Sequence, residues 1–203
     1  MDAGTLAMPR RALGPPSRDV APAVSNTRIA MLVVIAGETM LFAGLVGMYL
    51  VFRLSRPWPP PDLPRLPLAL TTVNTFVLLA SAWPMTRALR ATRRVAPRTV
   101  TRGVALTALL GALFLAVQGA EWVRLLHHGL TLGGSMYGAT FYVLIGCHGA
   151  HVLIALGWVA VMAALLARRP LTPRRRAVLE MCGMYWYFVC ALWVFLFPLV
   201  YLY

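Results

Sequence analysis

Acidic and histidine side chains lie inside long apolar stretches of this sequence, where they would have to act without bulk water. Four of them are candidate functional residues: Glu38, Glu121, His148 and His151. Glu38 lies ten residues after Arg28 and fifteen before Arg53, which is roughly 15 Å and 22 Å along a helix. A charged group at that depth of a bilayer costs about 2.5–3.5 kcal/mol on insertion scales. We therefore predict that Glu38 is protonated or partnered and that it faces protein rather than lipid. Its role is left open between a proton-pathway acid, an anchor to a neighbouring subunit and a neutral acid hydrogen-bonded to a nearby helix.

His148 and His151 are three residues apart and therefore share one face of a helix. Two such histidines could ligate a metal or a haem, but no third or fourth ligand follows at a suggestive spacing. We interpret the pair as hydrogen-bonding groups between helices.

Glu121 ends an apolar stretch, three residues after Gln118 and next to Trp122. This position predicts a place near the membrane interface, where a carboxylate costs less than at the centre. Glu121 is either a solvated interfacial acid or a polar clasp to the next helix.

The composition indicates which structure must position these residues. The chain has 203 residues, of which 60% are hydrophobic and 12% charged, and its mean hydropathy is +0.72. Soluble domains are about 25% charged, so a soluble enzyme and a disordered protein are both excluded. Three cysteines without a CxxC pair argue against a disulfide scaffold and a zinc site.

Five apolar segments are long enough to cross a bilayer, which requires about 20 residues each. The sequence therefore predicts an all-α, polytopic membrane protein, with a bundle of five transmembrane helices in a domain over residues 28–203. Residues 1–27 are basic and rich in proline without a long apolar core, so they are predicted to form a flexible cytoplasmic tail rather than a signal peptide. The predicted helices cover residues 29–52, 66–85, 103–123, 135–167 and 177–203.

The net charge of +13 comes from 19 arginines that lie between the apolar segments. Fifteen of them fall in the N-terminal region and in the second and fourth connections, and four fall in the other connections. The excess of positive charge on cytoplasmic loops places the N-terminus in the cytoplasm and the C-terminus outside. Because these clusters read as topology signals rather than one basic face, no nucleic-acid partner is expected.

Small residues spaced by four along the third segment (Ala108, Ala112, Ala116 and Ala120) favour close helix packing, within this chain or against another. The sequence shows no phosphate-binding loop, dinucleotide motif or nucleophile elbow. The chain by itself looks poorly equipped to catalyse or transport.

Five motifs, taken in this order and at these separations, resemble subunit III of the haem–copper terminal oxidases, in the short five-helix form found in bacteria. They are residues 38–44 (ETMLFAG), 70–79 (LTTVNTFVLL), 118–122 (QGAEW), 137–141 (YGATF) and 147–152 (CHGAHV). The family usually carries Trp-His-Phe-Val-Asp in its last helix, and this chain has Tyr187 and Cys190 in place of the His and the Asp.

The resemblance implies a non-catalytic subunit of a cytochrome c oxidase in the bacterial cytoplasmic membrane, serving aerobic electron transport. This chain would hold no haem, copper or other metal, since haem and copper lie in partner subunits. It would contact subunit I directly, associate with subunit II and other oxidase subunits, bind phospholipid, and support assembly and proton uptake. Glu38 would match the buried acid of the family near subunit I, and Glu121, His148 and His151 are carried over as further structural or proton-pathway candidates.

Other functions remain as alternatives. Quinol oxidases and proteins linked to nitric oxide reductases share the short form of the family. An autonomous membrane transporter, or a haem-binding membrane protein that uses His148 and His151, would belong to different classes.

Overall fold

Five long α-helices make up the structure, a computed structural model that describes residues 26–55, 68–94 and 96–202. All five are long and apolar enough to cross a membrane, which confirms the prediction of an all-α protein with five spanning helices. The tail predicted for residues 1–27 lies outside the described residues up to residue 25. The helices are α1 Asn26–Ser55, α2 Leu68–Arg93, α3 Pro97–His127, α4 Met136–Arg168 and α5 Pro173–Phe197, and α5 continues into a π-helical turn, Pro198–Leu202.

The helices extend beyond the predicted apolar segments, and they do so most at the connection between α2 and α3. The second segment was expected to end at residue 85 and the third to begin at residue 103, whereas α2 continues to Arg93 and α3 begins at Pro97. Arginine and alanine are good helix formers, so the helices continue past the residues at which the apolar composition stops. The 33 residues of α4 correspond to roughly 50 Å, which exceeds the hydrocarbon thickness of about 30 Å.

The starts of α4 and α5 are fixed by local sequence. Ser135 precedes α4, and its hydroxyl oxygen accepts a hydrogen bond from the backbone N–H of Gly138 at 3.0 Å. Thr172 caps α5 in the same way, and Pro173 occupies the first helical position. Both arrangements satisfy backbone donors that a helix start otherwise leaves free.

The helices approach one another closely where glycine replaces a larger residue. A Cβ atom on Gly103 of α3 would lie 2.8 Å from the Pro84 carbonyl oxygen and 2.9 Å from Ala88 Cβ of α2. Gly111, one of the next buried positions of α3, faces the indole ring of Trp186. Small residues thus allow close packing in a bilayer, where no hydrophobic force drives helices together.

The row of four alanines on α3 does not form this interface. Ala112, Ala116 and Ala120 are exposed on the surface of the chain and Ala108 is half-buried, so only Ala108 packs within the chain. Packing of the row against another chain stays a prediction. The buried face of α3 runs instead through Val104, Thr107, Gly111, Phe114 and Gln118. Alanine is common in this sequence and tolerated facing lipid, so its spacing alone did not locate the contact.

The first helix is attached to α5 near both of its ends. Near its start, Arg28 Nη2 lies 2.6 Å from Glu180 Oε2. Near its end, Arg53 Nη1 donates to the carbonyl oxygen of Leu199 in the π-helical turn at 2.9 Å. These contacts show that α1 and α5 run parallel. Only Phe42 and Tyr49 of α1 are buried, so polar contacts carry much of its attachment.

Candidate functional site

The central polar contact of the bundle joins Glu38 of α1 to His151 of α4. His151 Nε2 lies 2.6 Å from Glu38 Oε2, and His151 Nδ1 lies 2.6 Å from the carbonyl oxygen of Cys147. A carbonyl oxygen only accepts, so Nδ1 carries a proton. One further proton is then shared between Nε2 and Oε2. The pair is either a carboxylic acid donating to a neutral imidazole or an imidazolium donating to a carboxylate.

Both arrangements have zero net charge, which explains how an acid is accommodated in the middle of a membrane helix. The pair is only partly enclosed by the chain, since 25% of the Glu38 side chain and 13% of the His151 side chain are exposed. The Phe42 ring packs against His151 with its centroid 5.1 Å away. Glu38 is therefore fixed by its own chain and still open to a group from outside the bundle.

His148 has a different environment from His151. It is 1% exposed, and its ring stacks on Trp193 with centroids 5.0 Å apart and an interplanar angle of 21°. Neither ring nitrogen has a hydrogen-bond partner within the described part of the chain. The interpretation of hydrogen bonding between helices thus describes His151, whereas His148 acts as a packed aromatic ring.

The two histidines do not converge on a common ligand set. Among the described residues, no group of three or more His, Cys, Asp or Glu side chains is arranged to hold a metal ion. The remaining ring contact of His148 is an edge-on approach by Phe42 at 6.3 Å. The geometry therefore offers proton exchange and hydrogen bonding, and no ligand set for metal chemistry among these side chains.

A second polar cluster surrounds Glu121, near the end of the bundle opposite to the arginines of α2. Thr71 Oγ1 lies 2.9 Å from each oxygen of the Glu121 carboxyl group, and Gln118 Nε2 lies 3.2 Å from Oε2. Gln118 Nε2 also lies 3.3 Å from the hydroxyl oxygen of Tyr201. Glu121 is 1% exposed, so it is not a solvated interfacial acid. It acts as a polar clasp, but its partners lie on the preceding helix, α2, and through Gln118 in the π-helical turn, rather than on the next helix, α4.

Sequence reasoning did not single out Thr71 as a partner of Glu121. The sequence feature that could have located Thr71 is a row of polar residues at helical spacing along α2. All of them are buried: Thr71, Asn74, Thr75 and Ser81. Asn74 donates to the carbonyl oxygen of Phe114 at 3.0 Å, and Trp193 and Trp186 of α5 donate to Thr75 and Ser81. This row forms the polar interior face of α2.

The two residues that depart from the family pattern both contact α2. The hydroxyl oxygens of Tyr187 and Thr86 are 2.7 Å apart. The Cys190 thiol lies 3.9 Å from the carbonyl oxygen of Leu78. Tyr187 and Cys190 therefore each make a polar contact from α5 to α2.

These features define a polytopic α-helical membrane protein with paired polar groups in its interior. The family profile of cytochrome c oxidase subunit III matches residues 18–203. The chain belongs to the cytochrome c oxidase subunit III family, which confirms the resemblance seen in the sequence motifs.

Individual relatives support the same assignment. The chain is 32% identical over 178 residues to cytochrome c oxidase subunit 3 of Bacillus subtilis (strain 168), covering 87% of this chain and 86% of that protein. It is 35% identical over 172 residues to cytochrome c oxidase subunit 3 of Synechocystis sp., covering 83% and 72%. It is also 32% identical over 170 residues to quinol oxidase subunit 3 of Bacillus spizizenii, covering 83% and 82%. The family thus includes relatives named for either electron donor.

Proposed function

We propose that this chain is the non-catalytic integral subunit III of a haem–copper terminal oxidase in a bacterial cytoplasmic membrane. The observation that carries the proposal is the family match, which spans residues 18–203. Haem and copper reside in partner subunits, and this chain contributes assembly, bound phospholipid and support of proton uptake to aerobic electron transport. Subunit I is its direct partner, and subunit II and further oxidase subunits complete the complex.

The Glu38–His151 pair is the part of the chain that acts toward subunit I. Glu38 lies on the helix with the fewest buried residues, and a quarter of its side chain is exposed. A proton between Nε2 and Oε2 can be passed to an acceptor from outside, or the carboxyl group can anchor that acceptor by a hydrogen bond. Either role requires that a group of the partner reaches Glu38.

The arginine-rich end of the bundle faces the cytoplasm in this proposal, and the end with the Glu121 cluster faces outward. The proposal is supported by the fifteen arginines of the N-terminal region and of the second and fourth connections, against four elsewhere. Membrane-impermeant labelling of one engineered cysteine at each end is expected to modify only the C-terminal one from outside. Equal labelling of both ends would contradict the proposed topology.

Co-purification tests the proposed function. The affinity-tagged full chain, solubilised in mild detergent, is expected to carry with it a multi-histidine membrane subunit with haem absorption and copper. The chain separated from that subunit is expected to show no Soret band. Purification as a stable protein without companions, or transport of a solute by the reconstituted chain alone, would favour the autonomous transporter. A haem absorption band that remains with the isolated chain and is lost in His148→Ala would favour a haem-binding protein.

The relatives include subunits of cytochrome c oxidases and of quinol oxidases, so the family alone does not identify the electron donor. The donor is determined by measuring the oxygen consumption of the purified complex. Oxygen consumption with reduced cytochrome c indicates the first type, and consumption with a quinol indicates the second. We propose the cytochrome c type.

A further inference from the structure

An open cavity of about 560 Å³ lies at the arginine-rich end of the bundle, between the α2–α3 connection and the α4–α5 connection. Only two of the described residues that line it are charged, Arg176 and Glu180 of α5. Proline, leucine and alanine side chains form much of the remaining wall: Pro97, Pro170, Leu171, Pro173 and Ala177. A mostly apolar wall with a few polar groups is typical of a binding site, and this one suits a short apolar stretch of polypeptide.

The start of α1 lies at the edge of this cavity. Arg28 Nη2 is 2.6 Å from Oε2 of Glu180, which belongs to the cavity wall. The chain that precedes α1 therefore begins beside the cavity, and the family match already starts at residue 18, eight residues before α1. Eight residues can reach up to about 26 Å, so residues 18–25 are long enough to pass from Arg28 into the cavity.

The sequence of this segment matches the chemistry of the cavity. Residues 18–25 read Arg-Asp-Val-Ala-Pro-Ala-Val-Ser, and the five central ones are valine, alanine and proline, which fit a wall of the same character. Asp19 is the only acid between Asp2 and Glu38. Among the described residues, Glu180 is the only acid at this end of the bundle, which carries an excess of arginines. A carboxylate is attracted to such an excess.

Arg176 is the arginine of the cavity that is placed to receive Asp19. Its Nε lies 3.3 Å from Glu180 Oε1, and 40% of its side chain is exposed. Glu180 is at the same time shared with Arg28, so two guanidinium groups face one carboxylate. A second carboxylate would balance this group of charges.

We propose that residues 18–25 of this chain occupy the cavity, with residues 20–24 against its proline-rich wall and Asp19 beside Arg176. The last part of the tail predicted as flexible is then fixed, and α1 gains a further attachment at its start. A segment tethered beside the cavity binds at a high effective concentration, which favours it over a segment of another protein. The inference goes beyond the proposed function, because it concerns contacts within one chain.

Disulfide trapping in the full chain, purified with its native companions, tests the proposal. Ala21→Cys is combined either with Ala177→Cys in the cavity wall or with Thr99→Cys, which is exposed at the same end of the bundle and does not line the cavity. Both double variants are oxidised with diamide, and the disulfide-linked peptides are identified by mass spectrometry. The native cysteines lie in α4 and α5 and are recognised by their own peptides.

The disulfide between positions 21 and 177 is expected to form about tenfold faster than the one between positions 21 and 99. Thr99 is the more exposed of the two wall positions, so a freely moving tail would not produce this preference. Equal rates at both positions would overturn the proposal. A disulfide to position 177 that forms only after the companion subunits are removed would also overturn it, because a partner would then fill the cavity in the complex.

Two further variants test the charge contact. In the background of Ala21→Cys and Ala177→Cys, Asp19→Asn is expected to slow disulfide formation about threefold, the effect of an exposed ion pair. Asp2→Asn removes the same charge from the tail outside the segment and is expected to leave the rate unchanged. Equal effects of the two substitutions would overturn the contact between Asp19 and Arg176. The disulfide is counted whether or not oxidase subunits co-purify, so this result is independent of the proposed assembly.

Discussion

Glu38→Leu is expected to weaken the attachment of α1 to α4 by about 1–3 kcal/mol, the cost of leaving one largely buried polar group without its hydrogen-bond partner. The substitution leaves His151 Nε2, which lies 2.6 Å from Glu38 Oε2, without its partner in an apolar setting. Because α1 has few buried residues, this loss is a large part of its attachment. The expected result is a lower thermal midpoint of the purified complex and a smaller fraction of complexes that retain this chain.

Glu38→Gln is the matched control. The amide of glutamine can donate to His151 Nε2 while Nδ1 keeps its bond to the Cys147 carbonyl oxygen, so assembly is expected to remain near the wild type. Glutamine cannot exchange a proton, so slower proton uptake by the assembled complex would indicate a proton-pathway acid. Unchanged proton uptake would indicate that Glu38 anchors the chain to its neighbour and does not carry protons.

A double variant separates loss of the pair from loss of packing. Glu38→Leu combined with His151→Leu removes both polar partners, and it is expected to recover most of the stability lost in Glu38→Leu alone, because no buried polar group is left unpaired. If Glu38→Leu and Glu38→Gln both match the wild type in assembly and in proton uptake, Glu38 is not a functional site.

Glu121→Leu is expected to destabilise the bundle by about 2–3 kcal/mol, since two buried donors lose their carboxyl acceptor. The donors are the hydroxyl group of Thr71 on α2 and the amide of Gln118 on α3. The effect should appear as a lower midpoint of thermal unfolding in detergent, with loss of helix contacts at the end of the bundle opposite to the arginines.

Two variants calibrate the Glu121 result. Glu121→Gln keeps an acceptor oxygen within reach of Thr71 and is expected to lose about 1 kcal/mol or less. Glu180→Gln alters an acid whose side chain is 24% exposed and whose partner Arg28 is 48% exposed, and pairs of that kind contribute about 1 kcal/mol or less. A midpoint for Glu121→Leu equal to that of Glu180→Gln would show that the clasp makes no special contribution.

The sequence predicts the five helices because each apolar run is long enough to cross a bilayer, and this signal does not depend on tertiary contacts. It also singles out Glu38, because a carboxyl group at that depth is costly unless partnered. The pairing of Glu38 with His151 could not be predicted in this way, because it depends on how two helices pack. Spacing fixes which residues share a face of one helix, but it does not fix which faces of two helices meet.

The same limit explains the residues that sequence reasoning missed or misplaced. Thr71 gains its importance only when α2 lies against α3, and Arg53 only when the π-helical turn presents the Leu199 carbonyl oxygen. The alanine row of α3 is mostly exposed, whereas Gly111 is required for space because the Trp186 ring packs against it. Which small residue is required for close packing depends on the size of the side chain that faces it from another helix. The sequence of one helix does not contain that information.

The attachment of α1 also bears on the order of biosynthesis. Its end contacts are to Glu180 and Leu199, which are synthesised more than a hundred residues after α1. The helix α1 is therefore made well before these two partners in α5 and the π-helical turn exist. A chain that stops before α5 would lack both contacts, so the final position of α1 depends on a helix that is synthesised four helices later.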